Sequence, residues 1–225
     1  MLPTGSMQIF HRSTNTISRV SIFGAVFFLA LLLWLFDALN RSPYTTRQGV
    51  TRVQPVQFSH QHHVGSMGID CRYCHTSVEK AAFANIPPTK TCMNCHSQIW
   101  LQSPELEPVR ESFRTDKSIE WVKVYDLPDY VYFNHMAHVN AAIGCETCHG
   151  RIDQMARVYQ AKPLTMGWCI DCHKNPTPYL RNPENVTKMG YDDEKSAVHR
   201  EPGEGEKIAQ KNDVHPPTNC STCHR

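Results

Sequence analysis

The hydrophobic positions of this chain form one continuous apolar run near the N-terminus and only short, irregular groups after it. Residues 20–36 carry no charged side chain, and the run extended to Leu39 would be about 30 Å long as a helix, enough to cross a bilayer. A cleaved signal peptide is the competing interpretation. No clear A-x-A cleavage site follows the run. We therefore favour an uncleaved transmembrane anchor that spans residues 20–39.

Beyond the anchor, the pattern predicts neither a regular sheet nor long helices. Alternation of apolar and polar positions is confined to a stretch near 121–125, where we expect at most one short strand. The chain contains 15 prolines, which favour short helices joined by long loops. The predicted fold is therefore mainly short helices and loops, with little or no sheet.

All ten cysteines fall into five Cys-x-x-Cys pairs, and each pair is followed directly by histidine. This is the attachment motif of c-type haem, in which the thiols form thioethers and the histidine binds iron. Zinc sites and disulfides, the two alternatives, need no histidine at this fixed position. The motifs are called sites 1 to 5 and lie at 71–75, 92–96, 145–149, 169–173 and 220–224.

The sequence therefore predicts five covalently bound haem c groups. The predicted attachment residues are Cys71, Cys74, Cys92, Cys95, Cys145, Cys148, Cys169, Cys172, Cys220 and Cys223. The predicted proximal iron ligands are His75, His96, His149, His173 and His224. After the anchor the chain offers only about 37 residues for each haem, so the haems must form much of the core. The fold class is that of a multihaem cytochrome c.

A second motif, Phe-x-His-x-x-His, occurs twice, at 58–63 (box A) and at 133–138 (box B). Each box precedes two of the Cys-x-x-Cys-His sites, and the distance from box to first cysteine differs by one residue between the copies. The chain thus contains a duplicated two-haem module, at 58–98 (module A) and 133–178 (module B). An electron-transfer haem needs a second axial ligand, and the boxes supply imidazoles for that position.

The position of each box predicts which haem its histidines serve. His60 should bind the haem of site 1, and His135 the haem of site 3. The second histidine of each box, His63 or His138, stands at a different height on a helical turn and should reach a neighbouring haem. His62 is predicted to be a spare residue.

The fifth distal ligand stays open between His215, which we prefer, and His199, Met166 or Met189. A methionine would raise the potential of one haem relative to its bis-histidine neighbours. If all five irons are six-coordinate, none offers an open position to a substrate. The sequence then predicts electron relay without catalytic residues of its own.

The remaining segments are assigned around these modules. We expect a cytoplasmic N-terminus (1–19), a tether (40–57), a connector (99–132) and a tail (179–225) that carries site 5. Because c-type haem is attached outside the cytoplasm, the chain should cross the cytoplasmic membrane once, with its haem domain on the periplasmic face. The formal charge is +2 without a basic stripe, so nucleic-acid binding is excluded, and Lys and Arg are expected to pair with haem propionates.

The combination of box and Cys-x-x-Cys-His resembles the class III cytochromes c, of the c3 and c7 type. The duplication, the single anchor, the fifth site and the aromatic connector at 121–135 resemble a narrower family over roughly 50–225. This is the pentahaem cytochrome subunit of alternative complex III, a bacterial menaquinol:electron-acceptor oxidoreductase. The resemblance implies relay of electrons from menaquinol to a periplasmic acceptor. It also implies an iron–sulfur subunit, polytopic quinol-binding subunits and a monohaem cytochrome c as partners.

Two other functions remain open at this point. The chain could be a quinol dehydrogenase subunit that feeds a periplasmic reductase such as nitrite reductase. In that family the first haem site should lie close behind the helix, whereas 34 residues separate Phe36 from Cys71. A multihaem reductase would need an iron with an open position. The sequence contains no recognisable quinone site, and one membrane helix makes a poor quinol pocket alone.

Overall fold

The computed structural model describes residues 9–193 and 199–224 in two compact units, which divide between Thr46 and Arg47. Residues 1–8 of the predicted N-terminus, residues 194–198 of the predicted tail and residue 225 lie outside the described residues.

The first unit is dominated by the 30-residue helix Arg12–Arg41, which is followed by the short helix Pro43–Thr46. The His11 side chain caps the long helix by accepting a hydrogen bond from the amide of Ser13, at 3.3 Å. None of its residues is buried. Among the described residues, this is the one helix that is long and apolar enough to cross a membrane, and its length and composition suit the predicted anchor.

The second unit is built from short helices, as the sequence predicts, and none of those described exceeds nine residues. Its α-helices are Cys71–Cys74, Thr89–His96, Glu107–Thr115, His135–Asn140, Cys145–His149, Met166–Lys174, Glu204–Lys211 and Cys220–Cys223. A π-helix covers Gln61–Ser66, and 3-10 turns cover Pro104–Leu106, Ile152–Gln154, Thr177–Tyr179 and Pro183–Asn185.

Sheet is absent from the described ranges, which contain only isolated bridges, so the expectation of little or no sheet is confirmed. The short strand considered near 121–125 does not form. Instead, the amide and the carbonyl of Val122 both bind the side-chain amide of Gln54, at 2.9 and 2.8 Å. A side chain thus satisfies the backbone groups that a neighbouring strand would otherwise pair.

The side-chain core is small and lies beside site 3. Ala142, Leu180 and Ile208 form the buried hydrophobic cluster, so part of the tail packs against module B. Arg181, which follows Leu180, is fully buried next to this cluster. Few other hydrophobic side chains of the described unit are buried, which agrees with a core that depends on bound groups.

Candidate functional site

Each of the five cysteine motifs lies on a short helix, so the two thiols of a pair stand three residues apart on one helical face. The site 1 helix begins at Asp70, whose carboxylate accepts the amide of Arg72 at 2.9 Å. Thr165 caps the site 4 helix in the same way through the amide of Trp168. All ten cysteines are free thiols, which excludes a disulfide framework in this structure.

The histidines of sites and boxes share one hydrogen-bond arrangement. In seven of them Nδ1 lies within hydrogen-bonding distance of a backbone carbonyl oxygen. Because a carbonyl can only accept, Nδ1 carries the proton and Nε2 keeps its lone pair for a metal. The pairs are His63 with Ser59, His75 with Asn85, His96 with Ile99, His135 with Ala82, His138 with Asn134, His173 with Pro217 and His224 with Tyr130. Histidine ligands of metals are held in this way by outer-shell acceptors.

Three box histidines face three motif histidines across similar gaps. The ring centres of His63 and His96 are 6.2 Å apart, and those of His138 and His173 are 6.0 Å apart. His135 and His149 are separated by 6.5 Å, and their planes are nearly parallel at 10°. A metal–nitrogen bond of about 2 Å plus about 1.1 Å from nitrogen to ring centre, on both sides, gives about 6.2 Å. Each gap therefore has the width that one metal ion between two imidazoles requires.

Phenylalanine holds the two histidines of each box apart. The Phe58 ring stacks on His63 at 4.3 Å and meets the edge of His60 at 4.9 Å. In box B, Phe133 lies 4.4 Å from His138 and 4.8 Å from His135. The two imidazoles of a box therefore point to different places, as the spacing of the motif predicts.

Imidazoles of sites 1 and 3 influence one another, and burial affects both His60 and His149. Burial and the neighbouring His75 lower the pKa of His60 to about 4. Burial, with His135 and His75, likewise lowers the pKa of His149 to about 4. Both rings are therefore neutral at physiological pH, which is the form that binds a metal.

Cysteines of different sites contact one another. A hydrogen bond between the Cys71 and Cys145 thiols raises the pKa of Cys71 and lowers that of Cys145. Burial raises the pKa of Cys148 to about 12, with a further contribution from Cys172 of site 4. Once the cysteines form thioethers to haem, they no longer titrate. The pKa shifts still indicate which sites are neighbours.

The candidates for the fifth distal ligand lie in different surroundings. The His215 side chain is 83% exposed, and its Nε2 binds Asp213 at 2.9 Å. His199 is also exposed. Met166 begins the site 4 helix and is 70% exposed. Met189 lines a cavity together with Cys71, which places it beside site 1. The identity of the fifth distal ligand stays a prediction.

His62 has surroundings unlike those of the other box histidines. It is exposed, and its ring stacks on Trp100 at 5.9 Å and 19°. Its neighbours His60 and His63 instead turn to the interior of the unit. Its interpretation as a spare residue stays a prediction.

Several supporting groups were not foreseen from the sequence. Tyr125 of the connector packs its ring 4.4 Å from that of His149, and its hydroxyl accepts the amide of Ala161 at 3.1 Å. Asn85 adopts a left-handed backbone (φ 73°) where its carbonyl accepts from His75. An asparagine in a loop was the available signal, because this residue type tolerates that conformation. Backbone carbonyls themselves have no signature in a sequence.

The donor set fits haem c better than zinc. The imidazoles meet in pairs, whereas a protein zinc site uses three or four ligands. No group of three or more His, Cys, Asp or Glu that could hold a metal ion occurs within 9–193 and 199–224. Paired Nε2 atoms beside free Cys-x-x-Cys thiols are what a bis-histidine haem c requires.

Comparison with known proteins points to the same chemistry. Residues 131–225 match the family described as cytochrome c7 and related cytochrome c. This part of the chain is therefore similar to cytochrome c7-like multihaem domains, and the similarity supports covalently bound haem c.

The chain is also homologous to the menaquinone reductase multihaem cytochrome c subunit of Nitratidesulfovibrio vulgaris. The two are 38% identical over 97 residues, which are 43% of this chain and 45% of that protein. The match thus spans less than half of the relative's length.

Proposed function

We propose that this chain is a membrane-anchored pentahaem cytochrome c that relays electrons from menaquinol oxidation to a periplasmic acceptor, as a subunit of an alternative complex III. The observation that carries the proposal is the pairing of box and motif histidines at 6.0 to 6.5 Å. Homology to a menaquinone reductase subunit supports the link to quinol. Bound haem c supplies one-electron redox chemistry.

The residues of the chain attach and orient the five haems. In this proposal the irons of sites 1, 2, 3 and 4 would be held by four pairs of imidazoles, namely His60 with His75, His63 with His96, His135 with His149 and His138 with His173. The fixed Nδ1–carbonyl bonds hold the imidazole planes, and the Phe58 and Phe133 rings keep the two ligands of each box separate. At site 5, His224 is the proximal ligand and His215 the preferred distal ligand.

Quinol oxidation itself is assigned to partner subunits. The single candidate membrane helix has exposed apolar side chains on all sides and offers no enclosed pocket for a quinol. An iron–sulfur subunit, polytopic quinol-binding subunits and a monohaem cytochrome c are the partners that the resemblance implies. The helix anchors the haem unit on the periplasmic face of the cytoplasmic membrane.

Native purification of the full chain tests this function. We expect a mass that includes five haems, an entirely low-spin ferric spectrum, and co-purification of an iron–sulfur protein with polytopic subunits. A variant with Cys220→Ala and Cys223→Ala should lose one haem and keep four. A high-spin, ligand-binding fraction in the native protein would contradict the relay function. Co-purification of a lone periplasmic reductase would favour the quinol dehydrogenase alternative.

A further inference from the structure

The two modules contact each other through equivalent residues. The amide of Gln61, one residue after the first histidine of box A, donates to the carbonyl of Met155 at 3.1 Å. The amide of Met136, one residue after the first histidine of box B, donates to the carbonyl of Ala81, also at 3.1 Å. Each acceptor lies six residues after the histidine of the other module's first site. Each module thus donates an equivalent backbone hydrogen bond to the other module.

A second contact is exchanged in the same manner. The Asn140 side chain donates to the carbonyl of Glu79 at 3.2 Å. Gly65, at the position equivalent to Asn140, packs against the carbonyl of Asp153 so closely that a Cβ would overlap it. Glu79 and Asp153 each lie four residues after the histidine of a first site. Paired contacts of this kind are the pattern of a two-fold, isologous interface.

Sites 1 and 3 meet at the centre of this exchange. Asp70, which caps the site 1 helix, accepts the hydroxyl of Thr187 at 2.8 Å. The adjacent Val186 accepts the amide of Cys145, at the start of the site 3 helix, at 3.0 Å. Two consecutive residues therefore hold the beginnings of both helices.

Site 2 contacts site 1. The Asn94 side chain, within the site 2 motif, donates to the hydroxyl of Tyr73, within the site 1 motif, at 3.1 Å. Box A spans the same pair, because Phe58 touches both His60 and His63. Site 2 is therefore held at the outer side of module A.

Sites 4 and 5 follow on the side of site 3. Phe133 touches the box B histidines that face sites 3 and 4. His173 of site 4 donates through Nδ1 to the carbonyl of Pro217, three residues before Cys220, at 2.7 Å. Site 5 thus adjoins site 4.

We infer that the haems are ordered in space as site 2, site 1, site 3, site 4, site 5, with the first haems of the two modules as direct neighbours. Order along the chain and order in space therefore differ within module A. The ends of the row are sites 2 and 5. This inference rests on the five haems of the proposed function.

Nuclear Overhauser spectroscopy of the fully reduced, diamagnetic protein tests the order without an activity assay. The sample is the full chain in detergent with all haems attached, and the thioether protons are assigned through their cysteines. We expect a cross-peak between the thioether groups at Cys71 and Cys145, and none between those at Cys95 and Cys220. The variant Gly65→Ala should shift the Cys71 and Cys145 signals. Gly167→Ala, where a Cβ meets no atom within 4 Å, should leave that cross-peak intact.

The outcomes separate this inference from the proposed function. Five attached low-spin haems without the Cys71–Cys145 cross-peak would overturn the order and leave the relay function standing. A direct cross-peak from site 2 to site 3, 4 or 5 would also overturn it. Fewer than five haems, or a high-spin native spectrum, would contradict the proposed function instead.

Discussion

Modules A and B place their box histidines in similar geometry, although the backbone conformations of the two boxes differ. Box A continues into the π-helix Gln61–Ser66, whereas box B begins the α-helix His135–Asn140. The distances from phenylalanine to the second histidine are nevertheless 4.3 and 4.4 Å. Module A has one more residue between box and cysteine, and a π-turn is the usual way for a helix to absorb an extra residue. The comparison shows that the insertion alters the backbone and leaves the histidine geometry intact.

The modules differ more in what surrounds them. Next to site 3, the fully buried Arg181 binds Asp192 at 3.0 Å and lies 4.0 Å from Glu146. Next to site 1, Arg72 pairs with Asp70 and Glu79, and all three side chains are more than 40% exposed. Removing one partner of a buried pair leaves a buried charge uncompensated, whereas exposed pairs contribute little. We therefore expect the loss of Arg181 to destabilise the unit more than the loss of Arg72.

The largest expected effect is a change of spin state at one haem, which distinguishes the two irons of a module. His63→Ala and His138→Ala each remove an imidazole that faces the second site of its own module. Each variant should convert one haem of five to high spin, at site 2 or site 4, and leave the first-site haem low-spin. Electron paramagnetic resonance and absorption of the ferric protein measure this change.

The control for both variants is His62→Ala, because this exposed ring stacks on Trp100. Its spectrum should remain entirely low-spin. A spectrum without a high-spin component in His63→Ala or His138→Ala would show that the ligand assignment is wrong.

The sequence was sufficient to predict the parts whose chemistry depends on spacing. A fixed interval between cysteine and histidine locates the sites, and the repeat of Phe-x-His-x-x-His predicts that His60 and His63 point to different places. The apolar run predicts the first helix, although the helix Arg12–Arg41 extends beyond the predicted anchor at both ends. Each of these features is local in the sequence, so it can be predicted without knowledge of the tertiary contacts.

The groups that hold these ligands could not be predicted, because distant segments bring them together. The carbonyl of Ala82 fixes His135 from 53 residues away, and that of Pro217 fixes His173 from 44 residues away. Every residue has a carbonyl, so composition and pattern are silent about which one is used. The burial of Arg181 was likewise unpredictable, since a charged residue in a polar tail is normally exposed.

Arg181→Leu should give the next largest effect. The substitution leaves the buried Glu146 carboxylate without the Arg181 cation, which costs up to about 3–5 kcal/mol of unfolding free energy, while Asp192 keeps Arg200 at 3.1 Å. The matched change in module A is Arg72→Leu, which breaks exposed pairs and should cost less than about 1 kcal/mol. Denaturant unfolding, followed by far-ultraviolet circular dichroism, measures both. Equal losses would contradict the larger contribution of the buried Arg181.

A smaller effect is expected at the contact between box A and module B. In Gly65→Ala the new Cβ overlaps the carbonyl of Asp153, so the backbone must shift, at a cost of about 1–3 kcal/mol. Gly167→Ala is the matched control in a helix, where a Cβ meets no atom within 4 Å. That change should be neutral or stabilising by up to about 1 kcal/mol. If both variants have the same unfolding midpoint, the close packing at Gly65 is not present in solution.

The smallest effect concerns Asp70, which links module A to Thr187. The hydrogen bond from Arg72 is the main cause that lowers the pKa of Asp70 to about 2 from its ordinary 3.8. A carboxyl with a lowered pKa stabilises the fold above its unfolded value and loses that contribution as pH falls. The stability difference between the native protein and Asp70→Asn should therefore shrink from about pH 4 to about pH 2. Because the side chain is 43% exposed, the difference at neutral pH should be below about 1 kcal/mol.

Thr187→Val, which removes only one of the hydrogen bonds to Asp70, should reduce this pH dependence without abolishing it. Unfolding midpoints measured at several pH values would contradict the role of Asp70 if the difference stayed constant over that range.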